Sequence, residues 1–171
     1  AYPVPVRLFP AQNGDLDLAA CLREAMERWN EGEDTPWFTL DPQAEWGIRL
    51  VHWPDLELHP PTWSQITRLD EQGRPLRIHI NLGNNYDSLS QRPYVIRALV
   101  HELAHGLFLW GHSPDPGHIL WAGGPPLVAA PSPDERKAAH LWRDLPEGFD
   151  LGPYISGPLS TTASWPPGGR P

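Results

Sequence analysis

Apolar and polar residues alternate along 76–82, where Leu76, Ile78, Ile80 and Leu82 share one face, and a period of two predicts a β-strand. Similar runs predict strands over Val4–Phe9, 46–53 and 64–69. Prolines at 3, 5 and 10 place the first near a sheet edge, whereas Ile48, Leu50 and Val51 mark the second as central. Residues 70–74, Asp-Glu-Gln-Gly-Arg, read as the turn of a hairpin between the last two strands. The apolar period lengthens to three and four at Leu18, Leu22, Ala25, Met26 and Trp29, which predicts a helix capped by Asp15 or Asp17 and stopped by Asn30 and Gly32. Ser90 is expected to cap a longer helix, with Pro93 in its first turn. That helix carries Val95, Ile96, Leu99, Val100, Leu103 and Leu107 on apolar faces, and Gly111 is its first strong stop. A Pro/Gly-rich stretch follows to Pro131. Ser132, Pro133 and Glu135 then spell a capping box for a final helix ending near Asp144.

Strand, helix, three or so strands, helix, long loop and helix make an α+β domain with an irregular C-terminal part. The 171 residues suit one domain, assigned to 1–151, with 152–171 a tail rich in Pro, Gly, Ser and Thr. The 22 prolines imply short elements joined by long loops, and most of the nine tryptophans are expected in packing. A net charge of −8 without a basic stripe argues against nucleic acid and anionic membrane as partners. No apolar run approaches the roughly 20 residues of a membrane span. The single cysteine, Cys21, sits among apolar residues and reads as buried packing. The chain opens at Ala1 rather than Met, which fits a removed leader, so the expected location is secreted or periplasmic.

The chemistry concentrates in His101-Glu102-Leu103-Ala104-His105. Histidines four apart on a helix lie on one face, about 6 Å apart along the axis, and can reach one metal ion. Glu102 is then placed to take a proton from a water on that ion without being a ligand. A catalytic zinc needs a third protein ligand and an open position. On a continuous helix His112 would lie about 10 Å beyond His105, so the chain must turn, and Gly111 is the expected pivot. His112 is the expected third ligand, with His118 and Glu135 as alternatives. His140 reads as packing or surface, and His52 and His59 carry no signal.

The segment HELAHGLFLWGHS at 101–113 resembles the zinc signature of the metzincin peptidases, and among them the matrixin-type bacterial enzymes. RIHINL at 77–82 resembles their edge strand, PDPGHILWA at 114–122 the turn beneath the metal, and residues 132–144 the closing helix. The family pattern has glycine where this chain has Phe108, and its third histidine falls one residue earlier than His112. A helix running slightly longer and turning at Gly111 would reconcile the two. Leu120 stands where the family has the methionine of its turn and has similar volume. The resemblance implies a mixed, mostly parallel five-stranded sheet with two long helices. It also implies a Zn2+ cofactor on His101, His105 and His112, with Glu102 as general base. A protein or peptide substrate would extend along 78–82, beside His79, Ile80 and Asn81, with 121–126, beginning at Trp121, walling the pocket past the scissile bond.

The expected activity is that of a zinc-dependent endopeptidase, acting as a monomer. A non-catalytic binding protein that retains the site is the rival of another class. A zinc aminopeptidase or amidase is the narrower enzymatic one; a blind pocket with an acidic anchor would mark it, and an open cleft the endopeptidase.

Overall fold

The computed structural model describes residues 3–9, 12–52, 62–69, 75–82, 89–109, 111–122 and 127–145, with strands 62–69 and 75–82 described by their backbone. The expected hairpin turn at 70–74, His59, the pocket wall at 123–126 and the tail from 152 lie outside these residues.

Strand β1 (Val4–Phe9) leads through a two-rung hairpin, β2 (Gln12–Asn13) and β3 (Leu16–Asp17), into helix α1 (Leu18–Asn30). Asp17 caps α1 by accepting from the Ala20 amide at 2.9 Å. At the other end the Asn30 side chain accepts from the amides of Trp37 and Phe38 and donates to the Phe38 carbonyl, folding the chain back into β4 (Phe38–Leu40). Strands β5 (Gly47–His52), β6 (Thr62–Leu69) and β7 (Pro75–Leu82) complete a five-stranded sheet in the order β4-β1-β5-β7-β6. The β4–β1, β1–β5 and β5–β7 pairs are parallel, and β6 runs antiparallel to β7. This is the mixed, mostly parallel sheet expected.

β1 lies near the edge as expected, with only the three-residue β4 outside it. Pro5 removes one donor near the start of β1, which so short a neighbour tolerates. One strand sits elsewhere than expected. β7 is not an edge strand: Arg77 to Leu82 pair with β5 on one side, and β6 covers the other. Its backbone groups are therefore committed to the sheet and have none left for a peptide. Among the described residues the free edge on this side belongs to β6.

Helix α2 (Arg92–Gly106) follows a 3₁₀ turn at Leu89–Gln91, so Ser90 lies within that turn and Gln91 is the capping position, with Pro93 in the first turn. A buried cluster joins the two helices to the sheet. Val6, Ile48 and Leu50 meet Leu22, Ala25, Met26 and Trp29 of α1 and Leu99, Leu103 and Leu107 from α2 and its end. Cys21 is buried in it, and burial raises its thiol pKa. Trp29 donates from Nε1 to the Val100 carbonyl at 2.9 Å, tying α1 to α2. Gly106 lies so close to β5 that a Cβ there would fall 2.2 Å from Ile48 Cδ1.

Helix α3 (Pro133–Arg143) has the expected capping box. It is fastened to the end of α1, where Arg136 donates to the carbonyls of Trp29 (2.8 Å) and Arg28 (2.5 Å). Guanidinium donors there complement the orphan carbonyls of a helix C-terminus. His140 is part of this clasp: its Nε2 lies 3.1 Å from Glu33, its ring stacks edge-on to Trp37, and Arg143 lies 4.5 Å over the Trp37 ring. Among the described residues no helix is long and apolar enough to cross a membrane.

Candidate metal centre

Helix α2 carries His101, Glu102 and His105 on its last turns, each with 2 % of its surface exposed. The sequence called for a longer helix pivoting at Gly111. Instead α2 stops at Gly106, and the left-handed residue is Phe108, with φ of 67°. The Phe108 amide bonds to the His105 carbonyl (3.1 Å) and the Leu109 amide to the Ala104 carbonyl (3.2 Å). That pair of bonds is a Schellman motif with Phe108 in the position usually given to glycine. The break thus occurs where the resemblance has glycine, and the extra residue is absorbed after it, between Leu109 and His112. The Phe108 ring, partly buried, packs on Trp142 of α3 with centroids 6.4 Å apart.

After this turn the chain returns over the helix end. One ligand atom each from His101, His105 and His112 lie within 4.8 Å of one another, a spacing that can hold a metal ion. The ring centroids are 5.0 Å apart for His101–His105 and 5.2 Å for each pair with His112. Among the described residues this is the group of metal-capable side chains, and neither His118 nor Glu135 belongs to it. His118 Nδ1 is paired with Ser113 Oγ at 2.7 Å. Glu135 accepts three backbone N–H groups, from Ile119 (3.1 Å), Leu120 (2.8 Å) and Ser132 (2.8 Å).

The hydrogen bonds behind the imidazoles decide which nitrogens face inward. His101 Nδ1–H donates to the Ile119 carbonyl at 2.7 Å, and His105 Nδ1–H to the Leu109 carbonyl at 2.8 Å. A carbonyl only accepts, so both Nδ1 atoms carry the proton and each ring's remaining lone pair is at Nε2. The Schellman turn is what brings the Leu109 carbonyl to His105. Sequence reasoning singled out the three histidines but not these carbonyls, because a backbone acceptor has no residue-type signature. It found Glu135 as a helix cap and as an alternative ligand; its hold on Ile119 and Leu120 had no sequence signal.

Burial lowers the His105 pKa to about 3, with the nearby His101 adding to the effect and the bond to Leu109 opposing it. The pKa of His112, which is exposed on its outer side, falls to about 4 through partial burial and then through His101 and His105, while the Glu102 carboxylate pulls the other way. Both rings are neutral at pH 7, the form that binds a metal. Leu120, expected as the apolar floor of the site, is buried in the core cluster. The segment 113–122 closes on itself: the Ser113 amide bonds to the Leu120 carbonyl (2.7 Å) and the Ala122 amide to the Ser113 carbonyl (2.8 Å), with Trp121 bridged to Ser113. His79, Ile80 and Asn81 are described as β7 backbone, paired with Arg49, Leu50 and Val51.

No protein-family model matches this sequence, and a search of curated proteins finds no match either.

Proposed function

We propose that this protein is a zinc-dependent endopeptidase of the metzincin type. The observation that carries the reading is the pair of Nδ1–H bonds to the Ile119 and Leu109 carbonyls, which aims two buried imidazoles at the point faced by His112. Three imidazoles with no acidic ligand suit zinc among the metals that accept nitrogen donors, and would leave a fourth position open. Zinc held there by His101, His105 and His112 would supply Lewis-acid chemistry for activating water at neutral pH and polarising a scissile carbonyl.

The chain's own groups do the rest. Glu102 is buried next to His101 in sequence and close enough to His112 to favour that ring's charged form, which supports its place beside the three imidazoles. There it takes the proton of the attacking water and returns it to the leaving amine. The free edge of β6 offers backbone donors and acceptors to an extended peptide, a role that the pairing of β7 denies to 78–82.

The test is metal analysis of the purified protein with casein digestion, run with and without chelator, on wild type and Glu102→Gln. The variant should keep full metal content and lose about 10²–10⁴-fold in turnover. Chelator-insensitive hydrolysis, or normal turnover by Glu102→Gln, overturns the reading.

A further inference from the structure

We infer that Glu135 is a positioning residue for His101, acting through the backbone of Ile119, so that helix α3 sets the tautomer and aim of one metal ligand. This rests on the metal-site reading above, though its first readout does not need a metal.

Glu135 is 6 % exposed, and its carboxylate satisfies more than a helix cap requires. A capping box needs one bond back to the Ser132 amide, which Oε2 accepts at 2.8 Å. The same Oε2 also accepts the Ile119 amide (3.1 Å), and Oε1 accepts the Leu120 amide (2.8 Å). Two adjacent amides held by one carboxylate fix the peptide plane on either side of Ile119. The Ile119 carbonyl, thus oriented, accepts His101 Nδ1–H at 2.7 Å.

The path closes on itself. Val100, next to His101, accepts from Trp29 Nε1 (2.9 Å); the Trp29 carbonyl accepts from Arg136 (2.8 Å); and Arg136 is next to Glu135. Helices α1, α2 and α3 and the turn at Ile119–Leu120 therefore form one ring of buried and part-buried hydrogen bonds through His101. His105 lies outside it, since its carbonyl partner Leu109 is held by the Schellman turn.

Glu135→Gln separates capping from positioning. A glutamine with its oxygen in the Oε2 place still caps and holds the Ile119 amide, but its NH2 group then opposes the Leu120 amide, donor against donor, on the peptide that carries the Ile119 carbonyl. In ¹⁵N-histidine spectra of the metal-free protein at pH 7.5, wild type should show His101 and His105 both as the Nδ1–H tautomer. In Glu135→Gln, His101 should shift to a mixture with a several-fold larger Nε2–H population, while His105 stays unchanged. Ser132→Ala, which removes the cap hydroxyl and leaves the carboxylate in place, should leave both rings unchanged. Zinc affinity, read by competition with a chromophoric chelator, should fall about tenfold in Glu135→Gln. A protein that binds no zinc at all would sink the metal reading and leave the tautomer result standing.

Hydrogen exchange on wild type supplies a check that needs no variant. The Ile119 and Leu120 amides and His101 Nδ1–H should share one opening, with equal protection. Unequal protection, an unmoved His101 in Glu135→Gln, or equal disturbance of His101 and His105 overturns the proposal.

Discussion

Replacing Phe108 by glycine and by alanine separates backbone strain from ring packing at the turn that follows His105. Phe108 holds φ of 67°, where a side chain costs roughly 1–2 kcal/mol. Its partly buried ring on Trp142 returns about 1 kcal/mol, half the value of a fully buried phenylalanine. Alanine loses the ring and keeps the strain, so Phe108→Ala should destabilise by about 1 kcal/mol. Glycine loses the ring, relieves the strain and adds roughly 0.5–1 kcal/mol of unfolded-chain entropy, so Phe108→Gly should be near neutral. Glycine should thus exceed alanine by about 1 kcal/mol, or about 2–4 °C in Tm for a domain of this size. The sign is what discriminates. In a helix continued through Phe108 towards Gly111, alanine would beat glycine by about 1 kcal/mol. Urea and thermal unfolding should be run on chelator-treated protein, so that metal binding does not add to apparent stability. An alanine variant as stable as the glycine variant, or more so, refutes the Schellman turn and with it the placement of the Leu109 carbonyl behind His105.

Two further outcomes are expected. In the metal-free protein the folded-state pKa of His105 lies near 3, below the ordinary 6.5, so the unfolded chain binds more protons and stability falls as pH drops below about 6.5. Between pH 7.5 and 5 the loss from this residue should be about 2 kcal/mol, visible in urea midpoints; a flat profile that persists after metal removal would contradict the burial of a neutral ring. Gly106→Ala should cost about 1–3 kcal/mol because the new methyl meets Ile48, and Ile48→Val should recover part of it; a Gly106→Ala protein of wild-type stability would mean that α2 does not lie this close to β5.

Much of the fold was legible because periodicity survives in long elements. The apolar spacing of 18–29 and the Ser132–Glu135 cap gave α1 and α3 nearly to the residue. β4 has three residues and β2 and β3 two each, too few for an alternation to register. The edge role expected of β7 was misjudged because neighbours are set by long-range pairing, which alternation does not encode. The end of α2 was misread for a different reason. Glycine is the usual left-handed residue, so Gly111 drew the turn, yet a Trp142 contact made from another helix lets Phe108 hold that conformation. The histidines were visible in the sequence because metal-binding capacity is carried by side-chain identity and spacing. What aims them is backbone carbonyls, and those any residue can provide.

The three imidazoles differ in one respect that bears on kinetics. His101 and His105 are sealed in the protein, and His112 is exposed. If the group holds an ion as proposed, an ion arriving from solvent would meet His112 before the two buried rings, and a departing ion would have that contact to break last. A competing chelator would gain its first foothold on the same side, while the inner pair still held the ion. Exchange rates should then respond to changes at His112 and on the rim around it, whereas the two helix ligands govern how tightly the ion is held once inside.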